Sequence, residues 1–159
     1  MNQTLLTGEE SIEYRVLLLE DNRDLAELLS EFLTAHRCVV TTVSNGAQGI
    51  QKIVASDFDF ILCDIGMPGF PGDKFYLAVE RVKPHLRWRF VFMTGHPADP
   101  RIAAFLRETP GVLLWKPFQL HDLLTAMKTV RRRYLRQSGK AIAPQTTSAV
   151  QISPPDLLG

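Results

Sequence analysis

The sequence has few features of membrane, secreted or polyanion-binding proteins. Its 18 basic and 17 acidic residues leave a formal net charge of +1 over 159 residues, so no overall field draws the chain towards nucleic acid or anionic lipid. No apolar stretch reaches the ~18 residues that a membrane span needs, and the first dozen residues lack a signal-peptide pattern. The two cysteines, Cys38 and Cys63, lie in apolar segments and are predicted to be reduced, buried thiols. These absences predict a soluble cytoplasmic protein that binds neither nucleic acid nor membranes.

Several common catalytic and binding motifs are also missing. The chain has no glycine-rich P-loop, no cysteine-pair metal site and no metalloprotease helix. Its length and its 45% hydrophobic content suit one domain with a proper core, and a second globular unit does not fit. A functional site would therefore be formed by residues that are separate in the sequence and that the fold of one domain brings together.

Apolar runs and helical patterns alternate five times along the chain. The apolar runs are short, as expected for parallel strands that are covered on both faces. The first helical segment follows Asn22, a residue suited to an N-cap, and the face that should pack on the sheet carries Leu25, Leu28, Leu29 and Phe32. The predicted strands span residues 14–19, 38–43, 58–63, 88–93 and 112–115, and the helices begin near residues 22, 45, 73, 98 and 119.

Charged or hydroxyl residues end four of the predicted strands. Glu20 and Asp21 follow the first strand, and the third, fourth and fifth are followed by Asp64, Thr94 and Lys116. Because the carboxyl ends of parallel strands lie along one edge of an open α/β sheet, we expect these side chains to converge in a single crevice. Three carboxylates, one hydroxyl and one ammonium in one crevice indicate a site for a divalent cation and a phosphoryl group.

Four short motifs on these strand ends resemble the receiver domain of two-component response regulators. They are Glu20-Asp21, Asp64 leading into Met67-Pro68-Gly69, Thr94-Gly95, and Lys116-Pro117-Phe118. The resemblance covers residues 14–136 and implies a flavodoxin-like, doubly wound α/β fold, with a five-stranded parallel sheet in the order 2-1-3-4-5 and five helices. We therefore expect a receiver domain over residues 13–136, between a flexible N-terminal segment, 1–12, and a flexible C-terminal tail, 137–159.

The resemblance also implies a magnesium site. By position, Asp21 would ligate Mg²⁺ directly and Glu20 mainly through water, with Asp64 and the backbone carbonyl of Gly66 also in the shell. The donor set suits the ion because Mg²⁺ prefers octahedral oxygen ligation, keeps several waters and takes one or two carboxylates together with phosphate oxygens.

Three residues are implied in phosphoryl transfer. Asp64 matches the phosphoacceptor, whose carboxylate oxygen attacks the phosphorus of a phosphohistidine and becomes an acyl phosphate. Thr94 matches the hydroxyl that hydrogen-bonds one phosphoryl oxygen, and Lys116 matches the ammonium that pairs with another. The resemblance further implies a cis peptide bond between Lys116 and Pro117.

The implied partners are proteins. A histidine kinase or histidine phosphotransfer protein would supply the phosphoryl group and a downstream protein would respond, so we do not expect a conventional turnover enzyme. The chain would be a stand-alone receiver or a receiver module of a hybrid kinase. The face formed by the fourth helix, fifth strand and fifth helix usually responds in this family and is also the expected face of a homodimer. Here it includes Ala103, Phe105, Leu106, Leu113 and parts of the helix at 119–136.

The sequence departs from the family pattern near the site. Receivers commonly carry Tyr or Phe three residues before the lysine, where this chain has Leu113; strand alternation puts Trp115 on the same face. Gly66 has no side chain to cover an acyl phosphate, and His96, two residues after Thr94, is placed at the rim of the same pocket. We hypothesise that His96 modulates hydrolysis of the phosphoprotein, and an unchanged phosphoprotein half-life in His96→Ala would contradict this.

Three alternatives have specific sequence requirements. A degenerate receiver would bind partners without phosphorylation; Leu113 favours it, whereas the intact acceptor, metal, threonine and lysine set counts against it. A flavodoxin-type electron carrier would need a hydroxyl- and glycine-rich phosphate loop after the first strand, where residues 20–24 carry three carboxylates. A haloacid-dehalogenase-type hydrolase would need a second aspartate two residues after Asp64, where the chain has Gly66.

Overall fold

A parallel sheet of six strands with helices on both faces forms the described part of the chain. The computed structural model describes residues 12–95, 99–139 and 150–152. The strand order is β2-β1-β3-β4-β5-β6, and every neighbouring pair is parallel. The strands are β1 (Tyr14–Leu19), β2 (Cys38–Val43), β3 (Phe60–Asp64), β4 (Phe90–Thr94), β5 (Val112–Trp115) and β6 (Val150–Ile152). The helices are α1 (Arg23–Thr34), α2 (Gly46–Ala55), α3 (Gly72–Val82), α4 (Pro100–Glu108) and α5 (Leu120–Ser138), and a 3₁₀-helix, Pro84–Arg89, precedes β4.

The five predicted strands and their order 2-1-3-4-5 are confirmed. β3 and β4 begin two residues later than predicted and end one residue later, on Asp64 and Thr94. The prediction that Trp88 begins β4 is wrong, because Trp88 lies in the 3₁₀-helix. Pro84 begins that helix with a φ already suited to a helical turn, and the buried Leu86 anchors it to the core.

Two apolar cores, one on each face of the sheet, hold the helices. α1 and α5 pack on the first core, through residues such as Leu29 and Met127. α2, α3 and α4 pack on the second core, through residues such as Ile53, Phe75 and Leu106. The strands inside the sheet, β1, β3, β4 and β5, are covered on both faces and are nearly continuous apolar runs, and these runs allowed their prediction from the sequence. None of the described helices is both long and apolar enough to cross a membrane.

One expectation about α1 is wrong. The spacing predicts that Leu28 packs on the sheet, yet Leu28 is 50% exposed, and α1 packs through Ala26, Leu29 and Leu33. The buried face of α1 is centred on Ala26, Leu29 and Leu33, and at about 100° per residue Leu28 lies roughly 130° around the axis from the centre of that face. Leu28 instead presents an apolar side chain at the surface.

β6 was not part of the predicted architecture. It pairs with β5 in parallel register, from Val112↔Val150 to Leu114↔Ile152. Two β-branched residues around one polar residue form a strand pattern too short to stand out in a segment of small and polar residues. The range predicted to be a flexible tail, 137–159, therefore contains this strand and the last residues of α5. The rest of that tail, 140–149 and 153–159, and the N-terminal residues 1–11 lie outside the described part.

Cys38 and Cys63 are buried free thiols, as the sequence predicted. Burial raises the pKa of Cys38 to about 12. Burial, with the nearby charge of Asp64, also raises the pKa of Cys63 well above its usual value. Since the thiolate is the reactive form of cysteine, neither thiol is activated for chemistry near neutral pH.

Candidate metal and phosphoryl site

Three carboxylates from two adjacent strands meet at the carboxyl edge of the sheet. Glu20 and Asp21 directly follow β1, and Asp64 is the last residue of β3, which pairs with β1. One carboxylate oxygen from each residue lies within 4.8 Å of those of the other two. Glu20 and Asp64 are only 2% and 7% exposed, whereas Asp21 faces solvent. The predicted convergence of these three side chains is therefore observed.

The Lys116 ammonium lies between two of these carboxylates. Its Nζ donates to Glu20 Oε2 at 2.8 Å and to Asp64 Oδ2 at 3.2 Å. Burial acts to lower the pKa of Lys116, but the hydrogen bond to Glu20 and the charge of Asp64 outweigh it and raise the pKa. Burial raises the pKa of Glu20, although the hydrogen bond from Lys116 opposes that rise. Lys116 therefore balances part of the negative charge that the fold concentrates here.

Backbone amides hold the other oxygens of the two buried carboxylates. The Gly66 amide donates to Asp64 Oδ1 at 2.9 Å, and the Asn22 amide donates to Glu20 Oε1 at 3.2 Å. The Asn22 side chain also accepts from the amide of Leu25 at 3.1 Å and so caps α1, as predicted. Each buried carboxylate is thus oriented by one amide and one ammonium, with the start of α1 tied to the same site.

Thr94 and Lys116 are held next to each other by the end of the β4–β5 pair. Thr94 is 2% exposed and follows Met93, the residue that pairs with Asp64 across β3 and β4. The Thr94 carbonyl accepts a hydrogen bond from the Lys116 amide at 2.8 Å. The Lys116–Pro117 peptide bond is cis, as the family resemblance implied. The structure therefore brings all five polar strand-end residues to one edge of the sheet.

The carboxylate cluster fits a hard divalent cation. Mg²⁺ is bound by carboxylates and other oxygens, and Glu20, Asp21 and Asp64 present three such donors within reach of one ion. Carboxylates this close also repel each other, and a bound cation relieves that repulsion. Gly66 is placed by its amide on Asp64, and the predicted role of its carbonyl as a ligand stays a prediction.

Gly72 allows the start of α3 to approach the backbone of the site strand. A Cβ at this position would lie 2.8 Å from Ile65 Cα and 3.0 Å from both the Asp64 carbonyl oxygen and Cys63 Sγ. Two of these neighbours are backbone atoms, so turning a side chain would not relieve the contact. The absence of a side chain at 72 therefore helps to position the strand end that carries Asp64.

We expect Gly72→Ala to destabilise the protein by about 1–3 kcal/mol, the usual cost of overpacking a close contact. Urea denaturation would measure the change in the free energy of unfolding. Gly139→Ala is the matched control, because a Cβ there meets only the Leu135 carbonyl oxygen at 3.6 Å, and it should stay within about 0.5 kcal/mol of the wild type. Equal stability of the two variants would show that the α3 approach is not constrained.

The residues that depart from the family pattern have mixed outcomes. Leu113 is fully buried in the second core, and the half-buried Trp115 packs against the same core, so the predicted shared face is confirmed. Leu106 and Leu113 were expected on the responding surface, but both are buried and cannot contact a partner directly. Phe105 is half-buried, and His96 lies outside the described residues.

An apolar pocket beside the site was not predicted. It has a volume of about 380 Å³ and shares Lys116 with the carboxylate cluster. Its other lining residues come from α1 and from the segment between β5 and α5: Leu25, Leu28, Leu29, Pro117, Phe118 and Leu120. Two features of the sequence could have indicated this pocket. Phe118 directly follows Lys116-Pro117, and Leu28 is an apolar residue of α1 outside the face that packs on the sheet.

Solved structures of receiver proteins share this fold. A CheY-like response regulator receiver domain protein from Methanospirillum hungatei JF-1 matches with a TM-score of 0.72 at 20% identity, over 79% of this chain and 99% of that one. A response regulator receiver protein from Sinorhizobium medicae WSM419 matches with a TM-score of 0.67 at 26% identity, over 77% of this chain and 97% of that one.

Curated relatives match the chain over one part of their length. Transcription factor SKN7 of Candida albicans is 28% identical over 121 residues, which are 76% of this chain and 21% of that protein. The chain thus spans about a fifth of this relative, so the similarity concerns a shared domain. The family model of the response regulator receiver domain matches residues 16–128, a range that contains every predicted site residue. The chain belongs to the response regulator receiver domain family.

Proposed function

We propose that this receiver accepts a phosphoryl group from a phosphohistidine onto Asp64, in a Mg²⁺-dependent reaction, and signals through protein contacts. The proposal rests mainly on Asp64 itself, which ends β3 beside Glu20 and Asp21 and accepts a hydrogen bond from Lys116. Receiver domains in general act between histidine kinases and downstream effectors, and they are response regulators rather than conventional enzymes.

In the proposed step, an Asp64 carboxylate oxygen attacks the phosphorus of the donor phosphohistidine. The O–P bond forms as the P–N bond breaks; the imidazole nitrogen keeps the electron pair and takes up a proton. A bound Mg²⁺ would supply positive charge against the repulsion between the carboxylates and the incoming phosphoryl group. The Lys116 ammonium and the Thr94 hydroxyl would donate to phosphoryl oxygens and stabilise the charge that spreads over them during transfer.

We further propose that the apolar pocket between α1 and α5 docks the phosphodonor, a histidine kinase or histidine phosphotransfer protein in the cytoplasm. The pocket shares Lys116 with the site, so a protein seated there lies beside Asp64. Exposed apolar side chains that rim a pocket are typical of interaction sites, and Leu28 is one of them. The downstream protein, or a second copy in a homodimer, would use exposed parts of α4 and α5.

A phosphorylation-independent receiver is the second candidate. Leu113 favours it, because this buried aliphatic side chain occupies the position where the family commonly has an aromatic residue. In that case the acidic cluster would bind a cation without accepting a phosphoryl group, and partners would be bound in the unmodified state. The two candidates differ in one measurable property, which is the covalent state of the protein after exposure to a phosphodonor.

Phosphoramidate provides the test, because it carries the P–N bond that the proposed step breaks. With Mg²⁺ present, we expect the intact mass of the protein to rise by one phosphoryl group. With EDTA in place of Mg²⁺, we expect no increase, because the carboxylate cluster then repels the anion. An unchanged mass in the presence of Mg²⁺ would exclude the proposed function and favour the phosphorylation-independent receiver.

A further inference from the structure

β6 joins the sheet by a connection whose hand differs from the others. The step from β4 to β5 passes through α4 on the second core, whereas the step from β5 to β6 passes through α5 on the first core. Both steps move in the same direction across the sheet, so helices on opposite faces give them opposite hands. The step from β1 to β2 runs the other way through α1 on the first core, and it therefore shares the hand of β4–α4–β5.

This difference indicates how β6 is held. Right-handed crossovers make up about 98% of connections between parallel strands, because a twisted strand and its helix pack well only in that hand. The first five strands follow one hand throughout, and β6 alone breaks it. The packing of a β–α–β unit therefore does not explain the position of β6, which is explained instead by pairing with the free edge of β5.

The contacts of β6 are those of a short strand added to an edge. It has three residues, and its register partners are Val112, Leu113 and Leu114. Ile152 is half-buried and packs against the first core. Two prolines follow in the sequence at positions 154 and 155, where a longer strand would need backbone donors. Pairing of this kind, with backbone bonds and the side-chain contact of Ile152, resembles the way in which extended peptides bind sheet edges.

Without β6, the edge of β5 would be open to pairing with other chains. Val112, Leu113 and Leu114 are fully buried, and without β6 their strand would form the border of the sheet. An apolar edge strand presents unpaired N–H and C=O groups that can pair with another chain. β5 also leads directly into Lys116, so this edge adjoins the candidate site.

We propose that the edge of β5 is a strand-binding surface and that residues 150–152 occupy it in cis as a removable cap. The surface takes an extended segment with two β-branched residues around a polar one, parallel to β5. Residues 150–152 belong to the same chain as β5, so the cap binds intramolecularly, and this favours the pairing of even a three-residue strand. The pairing requires no phosphoryl group on Asp64, so it stands or falls separately from the proposed function.

The test uses Ile152→Asp in the full chain. A charge at a half-buried position against the first core should release β6, so the β5 amides that face β6 should exchange with deuterium at least ten times faster than in the wild type. Leu158→Asp is the matched control, since it adds the same charge to the same tail outside β6, and its β5 exchange should match the wild type. A synthetic peptide of residues 146–156 should restore slow exchange in Ile152→Asp, and the peptide with Ile152→Asp should not.

Two results would overturn the proposal. The first is β5 exchange in Ile152→Asp that equals the wild-type rate, which would mean that β6 does not cover this edge. The second comes from the wild type alone, and it remains decisive if the variant loosens the whole fold. A removable cap requires β6 amides to exchange by local opening, at rates independent of low denaturant concentrations, while β1 amides exchange only by global unfolding. Exchange of β6 amides together with β1 would show an integral strand and no cap.

Discussion

Asp64→Asn should remain at its unphosphorylated mass under conditions in which the wild type gains one phosphoryl group. The substitution keeps the size and planar shape of the side chain but replaces the anionic oxygen by a neutral amide, which is not a nucleophile towards phosphorus. The Gly66 amide can still donate to the remaining oxygen, so the strand end should keep its conformation. The expected loss is complete, because the one oxygen that asparagine keeps is a neutral amide carbonyl and does not displace the donor from phosphorus.

The neighbouring acids should not replace Asp64. Glu20 is 2% exposed and is engaged by Lys116 and by the Asn22 amide. Asp21 is exposed, and the ion pairs of Lys116 are with Glu20 and Asp64 instead. Asp57→Asn is the matched control, since Asp57 lies before β3, is exposed and pairs with His85 at 3.1 Å. This control should be phosphorylated like the wild type. A phosphoryl group on Asp64→Asn would place the acceptor elsewhere.

The site was predictable because its residues are fixed by strand ends. Apolar runs that are buried on both faces have few alternative placements, and the residue that follows each run is carried to one edge of the sheet. Asp64 and Thr94 are the last residues of their strands rather than the first of the loops, a difference of one residue that leaves them at the same edge. The local sequence pattern and the expected sheet topology therefore sufficed to predict that Glu20, Asp64 and Lys116 lie close together.

The features that escaped prediction depend on contacts between distant segments. β6 is a strand because the edge of β5 accepts it, and the three residues themselves carry little signal. Leu28 is exposed because the face of α1 that packs on the sheet is centred on Ala26, Leu29 and Leu33. Trp88 has strand-forming character, but a proline four residues earlier begins a helical turn around the buried Leu86. In each case tertiary packing decides between local conformations that the sequence alone leaves close in energy.

The partners of the Lys116 ammonium in the structure are carboxylates of the site. The family resemblance assigns its ammonium to a phosphoryl oxygen, yet in this structure the ammonium lies 2.8 Å from Glu20 and 3.2 Å from Asp64. It thus neutralises part of the charge of the same carboxylates that would hold Mg²⁺. A cation in the cluster and the Lys116 ammonium therefore compete for these oxygens, whereas an incoming phosphoryl group would give Lys116 a new partner.

This competition predicts opposite effects of Lys116→Met on metal binding and on phosphoryl transfer. Removing the ammonium makes the cluster more negative, so Mg²⁺ affinity at pH 8 should rise on the order of tenfold, or ~1.4 kcal/mol. The rate of phosphorylation by phosphoramidate at saturating Mg²⁺ should fall by about 10²–10³-fold, the usual effect of removing one donor to the transferring group. Calorimetric titration measures the first effect and intact mass over time the second.

The opposite signs separate this mechanism from simple damage to the fold. Methionine keeps most of the length of the lysine side chain. The variant leaves the buried Glu20 carboxylate without its ammonium partner, and urea denaturation of the same sample would measure any resulting loss of stability. A misfolded variant would lose metal binding and phosphoryl transfer together. Lys128→Met, on the exposed face of α5, should change neither property. Weaker Mg²⁺ binding by a stably folded Lys116→Met would contradict the competition, and an undiminished rate would contradict the role of Lys116 in transfer.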